Sequence, residues 1–250
     1  MDVLVCVKRV PETGARLTIT PDEQALDTSH LGFTISPHEE CAVEEAIRIG
    51  AAHGGTTTVL TLGPAAAAEQ LRNAVAMGIG SAILLETDGR EWDPAATAGA
   101  IVEAVGDRGF DLLLFGNEAA DTGDYQVAVR VAAALDLPCV TGVKGIDIAD
   151  GTLTVRREAS GGWEMFELPL PAVLSVKEGI NLPRYPSLPG RLRAKKQELE
   201  RLEPARPDPG LEKVRLIVPQ EEGTPVQILG NGPEAAPRVA ELLRELGVAP

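Results

Sequence analysis

The sequence predicts a doubly wound α/β fold, a mostly parallel Rossmann-like sheet with an added antiparallel hairpin and an extended C-terminal arm. Short, almost continuously apolar segments have the length and composition of strands buried on both faces of a parallel sheet. Helix-forming segments alternate with them, and this order predicts right-handed βαβ units. Later in the chain, alternating polar and apolar residues between turn signals indicate an antiparallel hairpin.

The elements of the parallel sheet follow one another at regular spacing. Buried strands are predicted at 2–7, 57–62, 82–85, 111–115 and 172–176. Helices are predicted at 64–77, 94–105 and about 125–135. The first of these helices has Pro64 in its first turn, where the missing N–H of proline does no harm.

The hairpin is expected within 145–168, where Asp150-Gly151 and Gly161-Gly162 are turn signals. The proline-rich segment after Asn181 is expected to be a rigid loop that leads into a basic helix. The string LEPARPDPG at 202–210 is typical of a linker.

The chain is expected to divide into an α/β domain at 1–190 and a C-terminal arm at 191–250. The arm ends in an amphipathic helix predicted at 233–246. A segment of this length is too short to build a core of its own, so we expect it to pack on another surface.

The composition excludes several classes of function. The chain has 250 residues, with 23 basic and 37 acidic side chains and a formal net charge of −14. This acidity argues against binding to nucleic acid or to anionic membranes, which requires lysine and arginine. No apolar run is long enough to span a bilayer, and no basic segment precedes the short apolar stretch at the start. These features predict a soluble, cytoplasmic protein.

The chemical motifs of common enzymes are missing from the sequence. It contains no GxGxxG after a strand, no P-loop, no GxSxG and no HExxH. The string His38-Glu39-Glu40-Cys41 is interpreted as the acidic first turn of a helix, because its side chains point around the helix. Cys6 is interpreted as a small apolar residue within a strand. We therefore predict no metal site and no catalytic side chain.

Three loops are expected to meet at the carboxyl edge of the sheet, where folds of this class bind ligands. They are 8–13, 36–39 and 116–126. The third loop contains small residues and precedes a helix, whose first N–H groups could point at a phosphate. The pattern indicates an adenine-nucleotide pocket without hydrolytic groups, and an ordinary capped loop is the alternative that it leaves open.

Six strings of the sequence carry a resemblance to a known family. They are VCVKRVPET at 5–13, SPHEECAVEEA at 36–46, LGPAAAAEQLRNAVAMG at 62–78, GNEAADTGDYQV at 116–127, VRREASGGWEMFELPLPAV at 155–173 and NLPRYPSLPGRLRAKK at 181–196. Through them the chain resembles the β subunit of electron transfer flavoprotein over roughly 2–200.

The resemblance implies an electron carrier and not an enzyme. Such a β subunit has an adenine nucleotide alpha hydrolase-like fold, binds a structural AMP, and pairs with an α subunit that holds the redox-active FAD. The C-terminal arm would pack on that α subunit. The heterodimer takes electrons from acyl-CoA and related dehydrogenases and passes them to a membrane quinone oxidoreductase.

Matching positions give the residues that the resemblance implies. The AMP would contact Cys6, Ser36, Pro37, His38, Glu39, Gly116, Asp121, Thr122, Gly123, Asp124, Tyr125, Gln126 and Val127. Glu158 would pair with an arginine of the α subunit, and Thr13 would lie near the flavin. The recognition loop would be 184–189, in which Arg184 and Tyr185 precede Leu188, the residue that docks on the dehydrogenase. A basic patch of Arg191, Arg193, Lys195 and Lys196 follows it and suits an acidic partner.

The sequence departs from the family pattern at several positions. Ser36 replaces a more usual asparagine, Ser160 replaces an acidic residue, and Thr13 stands where many AMP-binding members have an aromatic residue. The string Lys-x-Val-Pro-x-Thr at 8–13 is common in relatives that hold a second FAD in place of AMP. Because Tyr125 is bulky where a flavin would need space, we predict AMP and keep the second FAD as the alternative. A stand-alone adenine-nucleotide-binding protein of the same fold is the other alternative.

Overall fold

A computed structural model describes residues 1–12, 14, 17–106, 108–149, 151–207, 210–219 and 226–248. The chain divides into two compact units, Met1–Val214 and Arg215–Pro250. The first unit contains the sheets and five of the six described α-helices, and the second contains the remaining helix.

The described strands and helices are numbered in chain order. The strands are β1 (Val3–Cys6), β2 (Val10–Pro11), β3 (Phe33–Thr34), β4 (Thr57–Gly63), β5 (Ser81–Glu86), β6 (Leu112–Gly116), β7 (Cys139–Ala149), β8 (Thr152–Ala159), β9 (Gly162–Leu168), β10 (Ala172–Val176) and β11 (Glu200–Leu202). The helices are α1 (Pro37–His53), α2 (Ala68–Met77), α3 (Pro94–Val105), α4 (Val127–Leu135), α5 (Leu188–Lys196) and α6 (Ala236–Glu245).

Nine strands form the main sheet in the order β11-β5-β4-β1-β6-β10-β7-β8-β9. The pairs from β11 to β7 are parallel, and β8 and β9 continue the sheet in antiparallel fashion. Strand β7 makes the change, because its first part pairs with β10 and its later part pairs with β8. The predicted fold class, a parallel α/β sheet with an added antiparallel hairpin, is confirmed.

The two faces of the sheet are covered by different helices, as the apolar strands predict. In β1, Val3 and Val5 belong to the core that includes α1 and α2. Leu4 and Cys6 belong to the core that includes α3 and α4. Because every residue of β1 is buried, the strand has no polar face, and this explains its continuous apolar run.

Strand β11 was missed at the sequence level, because its three residues, Glu-Arg-Leu, have no apolar pattern. It pairs in parallel with β5 and so extends the edge of the main sheet. The predicted linker at 202–210 begins inside this strand. The first compact unit therefore continues past residue 190, and the predicted arm at 191–250 is divided between the two units.

Helix α5 packs closely on α2. A Cβ atom at Gly190 would collide with the carbonyl oxygen of Ala76, so only glycine allows this approach. Arg193 of the predicted basic patch donates a hydrogen bond to the Val75 carbonyl at 2.9 Å. In return, Arg72 donates to the carbonyl of Ala194 at 2.6 Å. The basic helix start is therefore attached to the α/β unit.

The second unit contains the predicted amphipathic helix as α6, none of whose residues is buried. Within the described part of the chain, no helix is both long enough and apolar enough to cross a membrane.

Candidate functional site

A cavity lies at the carboxyl edge of the sheet, beside β1. Strand β1 lies between β4 and β6 in the sheet. The connections that follow β1 and β6 therefore run in opposite directions from this point, which is where sheets of this class bind ligands. The cavity is lined by Cys6, Val7, Lys8, Glu39, Leu60, Leu62, Pro94, Thr97, Ile101, Phe115, Gly116, Asn117, Glu118, Ala119, Thr122, Asp124, Tyr125, Gln126, Val127, Ala128 and Ser175. The three loops predicted to meet at this edge all contribute to the cavity or to the hydrogen bonds around it.

Glu39 is buried in the wall of the cavity, with 6% of its surface exposed. Its Oε2 accepts the backbone N–H of Ser36 at 3.0 Å, and its Oε1 accepts the N–H of Lys8 at 2.9 Å. Burial raises the pKa of Glu39 to about 8, against the opposing effect of these two hydrogen bonds. A Cβ atom at Gly116 would lie 2.5 Å from the Cγ of Glu39, so a larger residue there would displace this carboxyl group.

Ser36 connects the start of α1 to the loop after β6. Its buried hydroxyl accepts the N–H of Ala120 at 2.9 Å. In the same loop, the Nζ of Lys8 lies 2.8 Å from the Oδ1 of Asp121 and donates to the Oγ1 of Thr122 at 3.3 Å. The first two loops thus hold the third by side-chain contacts.

The N-terminus of α4 opens onto the cavity. Gln126 is the N-cap residue, and Val127 and Ala128 form the first turn. The first N–H groups of a helix have no intrahelical acceptor and carry partial positive charge, so they can bind an anion. Helix starts of this kind bind phosphate groups in nucleotide-binding folds.

Part of the cavity lining is apolar. It consists of Leu60, Leu62, Pro94, Ile101 and Phe115. Such a surface can pack against the flat face of a purine, while the α4 end of the same cavity can take a phosphate.

His38, in the first turn of α1, joins the loop after β6 to the segment after β10. Its Nδ1 accepts the N–H of Glu178 at 2.7 Å, so the ring proton resides on Nε2, which lies 3.2 Å from the Oε1 of Glu118. The nearby hydroxyl of Tyr125 is the largest of the effects that lower the pKa of Glu118.

Cys6 lies at the end of β1 and is buried. Burial and the nearby Glu39 raise the pKa of its thiol. A thiol of this kind stays protonated at neutral pH and is a poor nucleophile. Among the described residues, no group of three or more His, Cys, Asp or Glu side chains could hold a metal ion.

The residues implied for the nucleotide site come together as one region. Cys6, Glu39, Gly116, Thr122, Asp124, Tyr125, Gln126 and Val127 line the cavity, and Ser36, His38 and Asp121 bond to residues that line it or to the loop beside it. Pro37 is the first residue of α1, and Gly123 lies within the third loop with φ at +58°.

The predicted loop at 116–126 included Asn117 and Glu118, but sequence reasoning assigned no role to Ser175. The Oγ of Ser175 donates to the Oδ1 of Asn117 at 3.0 Å and accepts the N–H of Gly142 at 3.3 Å, so it fixes the start of the loop. Asn117 and Glu118 were detectable, because they follow β6 directly. Ser175 lies within the apolar run of β10, and only the fold brings it to the cavity.

The residues implied for partner binding lie away from the cavity lining. Leu188 and Tyr185 are exposed, at 73% and 94% respectively. Arg184 contacts Glu44 of α1, and Glu158 on β8 lies 3.8 Å from the Nζ of Lys177. Thr13, implied near a flavin, lies outside the described residues.

The chain is similar to one family of proteins over most of its length. A family model described as the electron transfer flavoprotein domain matches residues 25–207. A relative from Bacillus subtilis, named electron transfer flavoprotein subunit beta, is 34% identical over 253 residues and covers 98% of both chains. Relatives with the same name are 34% identical in Syntrophomonas wolfei, over 98% of this chain and 96% of the relative, and 38% identical in Thermoanaerobacterium thermosaccharolyticum, over 76% and 73%.

Proposed function

This chain belongs to the electron transfer flavoprotein family, among relatives of its beta subunit, and on this basis we propose that it holds an AMP molecule and works as half of a heterodimeric electron carrier. The partner is a flavin-binding α subunit. The complex accepts electrons from acyl-CoA and related dehydrogenases and passes them to a quinone oxidoreductase in the membrane.

The observation that carries the AMP proposal is that the cavity lining combines a helix start with apolar side chains. The first turn of α4 offers N–H groups for one phosphate, and the apolar wall around Phe115 and Ile101 offers a surface for a purine. The hydroxyl of Ser36 and the ammonium of Lys8 hold the loop that leads into α4. The residues present therefore fit an adenine mononucleotide.

The role that we propose for the chain is to bind and position, without catalysis by its own side chains. The thiol of Cys6 is kept protonated by burial, and the carboxyl group of Glu39 is occupied by two backbone N–H groups. FAD, when bound on the partner subunit, supplies the redox chemistry. This chain contributes the nucleotide site and the surfaces that bring partner proteins into place.

We infer that the exposed residues before and at the start of α5 dock the dehydrogenase. Leu188 follows Pro186 and Ser187, and the hydroxyl of Ser187 accepts the N–H of Gly190 at 3.1 Å. A leucine on a segment that is already ordered loses little entropy on binding, so it can serve as an anchor. The exposed Arg191, Lys195 and Lys196 next to it would favour an acidic partner surface.

The experiment that tests this function mixes the heterodimer with a reduced acyl-CoA dehydrogenase from the same organism. We expect bleaching of the flavin absorbance of the carrier, and we expect no turnover of ATP by the full chain alone. Hydrolysis of ATP by the isolated chain, without electron uptake by the heterodimer, would instead support a stand-alone adenine-nucleotide protein.

The alternative, a second FAD in the cavity, differs from the proposal only in the nucleotide bound. The string Lys-x-Val-Pro-x-Thr at 8–13 favours it by resemblance, and the bulk of Tyr125 disfavours it. Counting the nucleotides bound to the complex distinguishes AMP from a second FAD.

A further inference from the structure

The segment between β10 and α5 repeats a pattern of three residues. Its sequence at 181–189, NLPRYPSLP, consists of three triplets, each with a polar residue, an apolar residue and a proline. The residue before a proline favours extended or polyproline II backbone, in which three residues complete one turn. Ser187 has φ at −73° and ψ at 158°, close to polyproline II values. On such a backbone, Leu182 and Tyr185 lie on the same side of the segment.

The polar residues of the first two triplets hold the segment on α1. The side-chain amide of Asn181 donates to the carbonyl oxygen of Cys41 at 2.9 Å and to the Oε2 of Glu45 at 2.8 Å. One triplet later, Arg184 donates three hydrogen bonds to Glu44 of the same helix. The backbone on both sides of Leu182 is therefore fixed before any partner binds.

The apolar residues of the triplets, Leu182, Tyr185 and Leu188, are exposed, and we call them the apolar row. Their exposed fractions are 86%, 94% and 73% respectively. Pro183 and Pro186 lie half-buried between them. Three large apolar side chains are thus in contact with water on backbone that is already ordered. Burying them against a partner gains free energy at a small cost in entropy.

The charges beside the apolar row favour an acidic partner. Three members of the basic patch, Arg191, Lys195 and Lys196, are exposed on α5. The chain as a whole has a formal net charge of −14, so this surface differs in sign from the rest of the molecule. A local cationic surface steers an acidic partner toward one place and one orientation. The apolar row therefore continues the surface that we propose for the dehydrogenase.

Resting on the docking function proposed above, we propose that Leu182 is a second anchor for the dehydrogenase, which binds the apolar row in an apolar groove with an acidic rim. Leu188 alone gives one point of contact, about which a partner can rotate. A second leucine on the same ordered segment fixes the direction of that segment across the partner, so it also discriminates between dehydrogenases whose grooves differ. Asn181 is a positioning residue, because its bonds to α1 hold the backbone beside Leu182.

The test measures the rate of electron transfer from a reduced acyl-CoA dehydrogenase to the heterodimer at increasing concentrations of the heterodimer. Leu182→Ala should raise the concentration that gives the half-maximal rate about tenfold, equivalent to about 1.4 kcal/mol. The maximal rate should stay unchanged, because the substitution affects docking and not the flavin. Leu182→Met keeps most of the apolar surface and should restore most of the affinity. The melting temperature and the yield of heterodimer should equal those of the wild type, because the side chain is exposed.

Asn181→Ala tests the positioning role. The substitution removes both amide hydrogen bonds to α1 and leaves the apolar row in place, so the half-maximal concentration should rise about threefold at an unchanged maximal rate. Combined with Leu182→Ala, it should have little further effect, because no second anchor remains to be positioned. A full additional effect in the double variant would remove the positioning role of Asn181.

Val129→Ala is the control for the loss of an exposed apolar side chain. Val129 is 42% exposed on α4, which packs on the opposite face of the sheet from α5. We expect its half-maximal concentration and its maximal rate to equal those of the wild type.

Four outcomes would overturn the inference. If Leu188→Ala raises the half-maximal concentration and Leu182→Ala does not, the docking function stands and Leu182 has no part in it. A lower yield of heterodimer with Leu182→Ala would place that residue at the contact with the α subunit. An equal effect of Val129→Ala would assign the change to the fold in general. Absence of electron transfer from the dehydrogenase to the wild-type heterodimer would overturn the proposed function, and the inference with it.

Discussion

The guanidinium group of Arg184 donates two hydrogen bonds to the carboxylate of Glu44, at 2.8 and 2.9 Å. The backbone N–H of Arg184 donates to the same carboxylate at 3.2 Å, and Arg48 donates from one turn farther along α1 at 2.9 Å. The Glu44 side chain is only 4% exposed. Arg184, which the resemblance implied as part of the docking loop, therefore attaches that loop to α1.

Glu44→Gln should loosen the segment that leads to Leu188. The substitution removes the charge from a buried acceptor of several hydrogen bonds, so we expect a loss of about 1–3 kcal/mol in the free energy of unfolding. Urea denaturation measures this loss, and faster tryptic cleavage after Arg184 reports the loosening directly. Glu198→Gln, at an exposed position after α5, is the control and should change neither. An unchanged cleavage rate in Glu44→Gln would show that the pair does not hold the loop.

Leu188→Ala should weaken docking without affecting the fold. Because the side chain is exposed, we expect the free energy of unfolding to change by less than about 0.5 kcal/mol. The rate of electron transfer from the dehydrogenase at low concentration should fall about tenfold or more if the leucine is an interface anchor. Leu188→Met keeps most of the apolar surface and should retain most of the rate. Equal rates for Leu188→Ala and the wild type would exclude the anchor.

Two carboxyl groups on α1 should give opposite dependences of stability on pH. The pKa of Glu39 is raised to about 8 by burial, so between about 4.5 and 8 the folded state binds the additional proton, and the contribution of Glu39 to stability falls as the pH rises. Burial also acts to raise the pKa of Glu44, but hydrogen bonds from Arg184 and Arg48 lower it overall. The contribution of Glu44 is therefore present above its unfolded pKa and is lost as the pH falls through the lowered folded value.

Denaturation of Glu39→Gln and Glu44→Gln between pH 4 and pH 8 measures these dependences. The free energy of unfolding should decline less steeply toward pH 8 in Glu39→Gln than in the wild type. The difference in slope is at most about 1.4 kcal/mol per pH unit. The destabilisation caused by Glu44→Gln should shrink toward the acidic end of the range. If both variants shift the profile in the same direction, the opposite pKa shifts of Glu39 and Glu44 are wrong.

Ser36→Ala should release the loop after β6 from the start of α1. The substitution leaves the N–H of Ala120 without its hydroxyl acceptor, at an expected cost of about 1 kcal/mol. Hydrogen exchange at Ala120 should accelerate, and the affinity for AMP should fall by a few-fold. Ser29→Ala removes an exposed hydroxyl that bonds to Asp27, two residues earlier, and it should change neither quantity. An unchanged rate of hydrogen exchange at Ala120 in Ser36→Ala would show that Ser36 does not hold this loop.

Local signals predicted most of the helices and the central strands of the sheet. The helix predicted at 94–105 is α3 with the same bounds, because Asp93 caps it, Pro94 begins it and Gly106 ends it. Strand β7 begins at Cys139, earlier than the predicted hairpin, since its first part pairs with β10 rather than with β8. Strand β11 exists through its pairing with β5 and has no pattern of its own.

The candidate site was predictable as a set of loops and not as a set of contacts. The loop at 116–126 follows an apolar strand, and sheets of this class bind ligands at the carboxyl ends of their strands. These two observations were sufficient to locate the candidate site. The bonds from His38 to Glu118 and from Arg184 to Glu44 join residues far apart in sequence. Such pairings depend on how α1 is packed against the sheet, and no local pattern contains that information.

The most direct test of the account is the nucleotide content of the purified heterodimer. The complex is denatured, and the nucleotides that it releases are separated and counted against the protein. We predict one AMP and one FAD per heterodimer, with the AMP retained by this chain when the subunits are separated. Two FAD molecules and no AMP, or no purine nucleotide on this chain, would contradict the account.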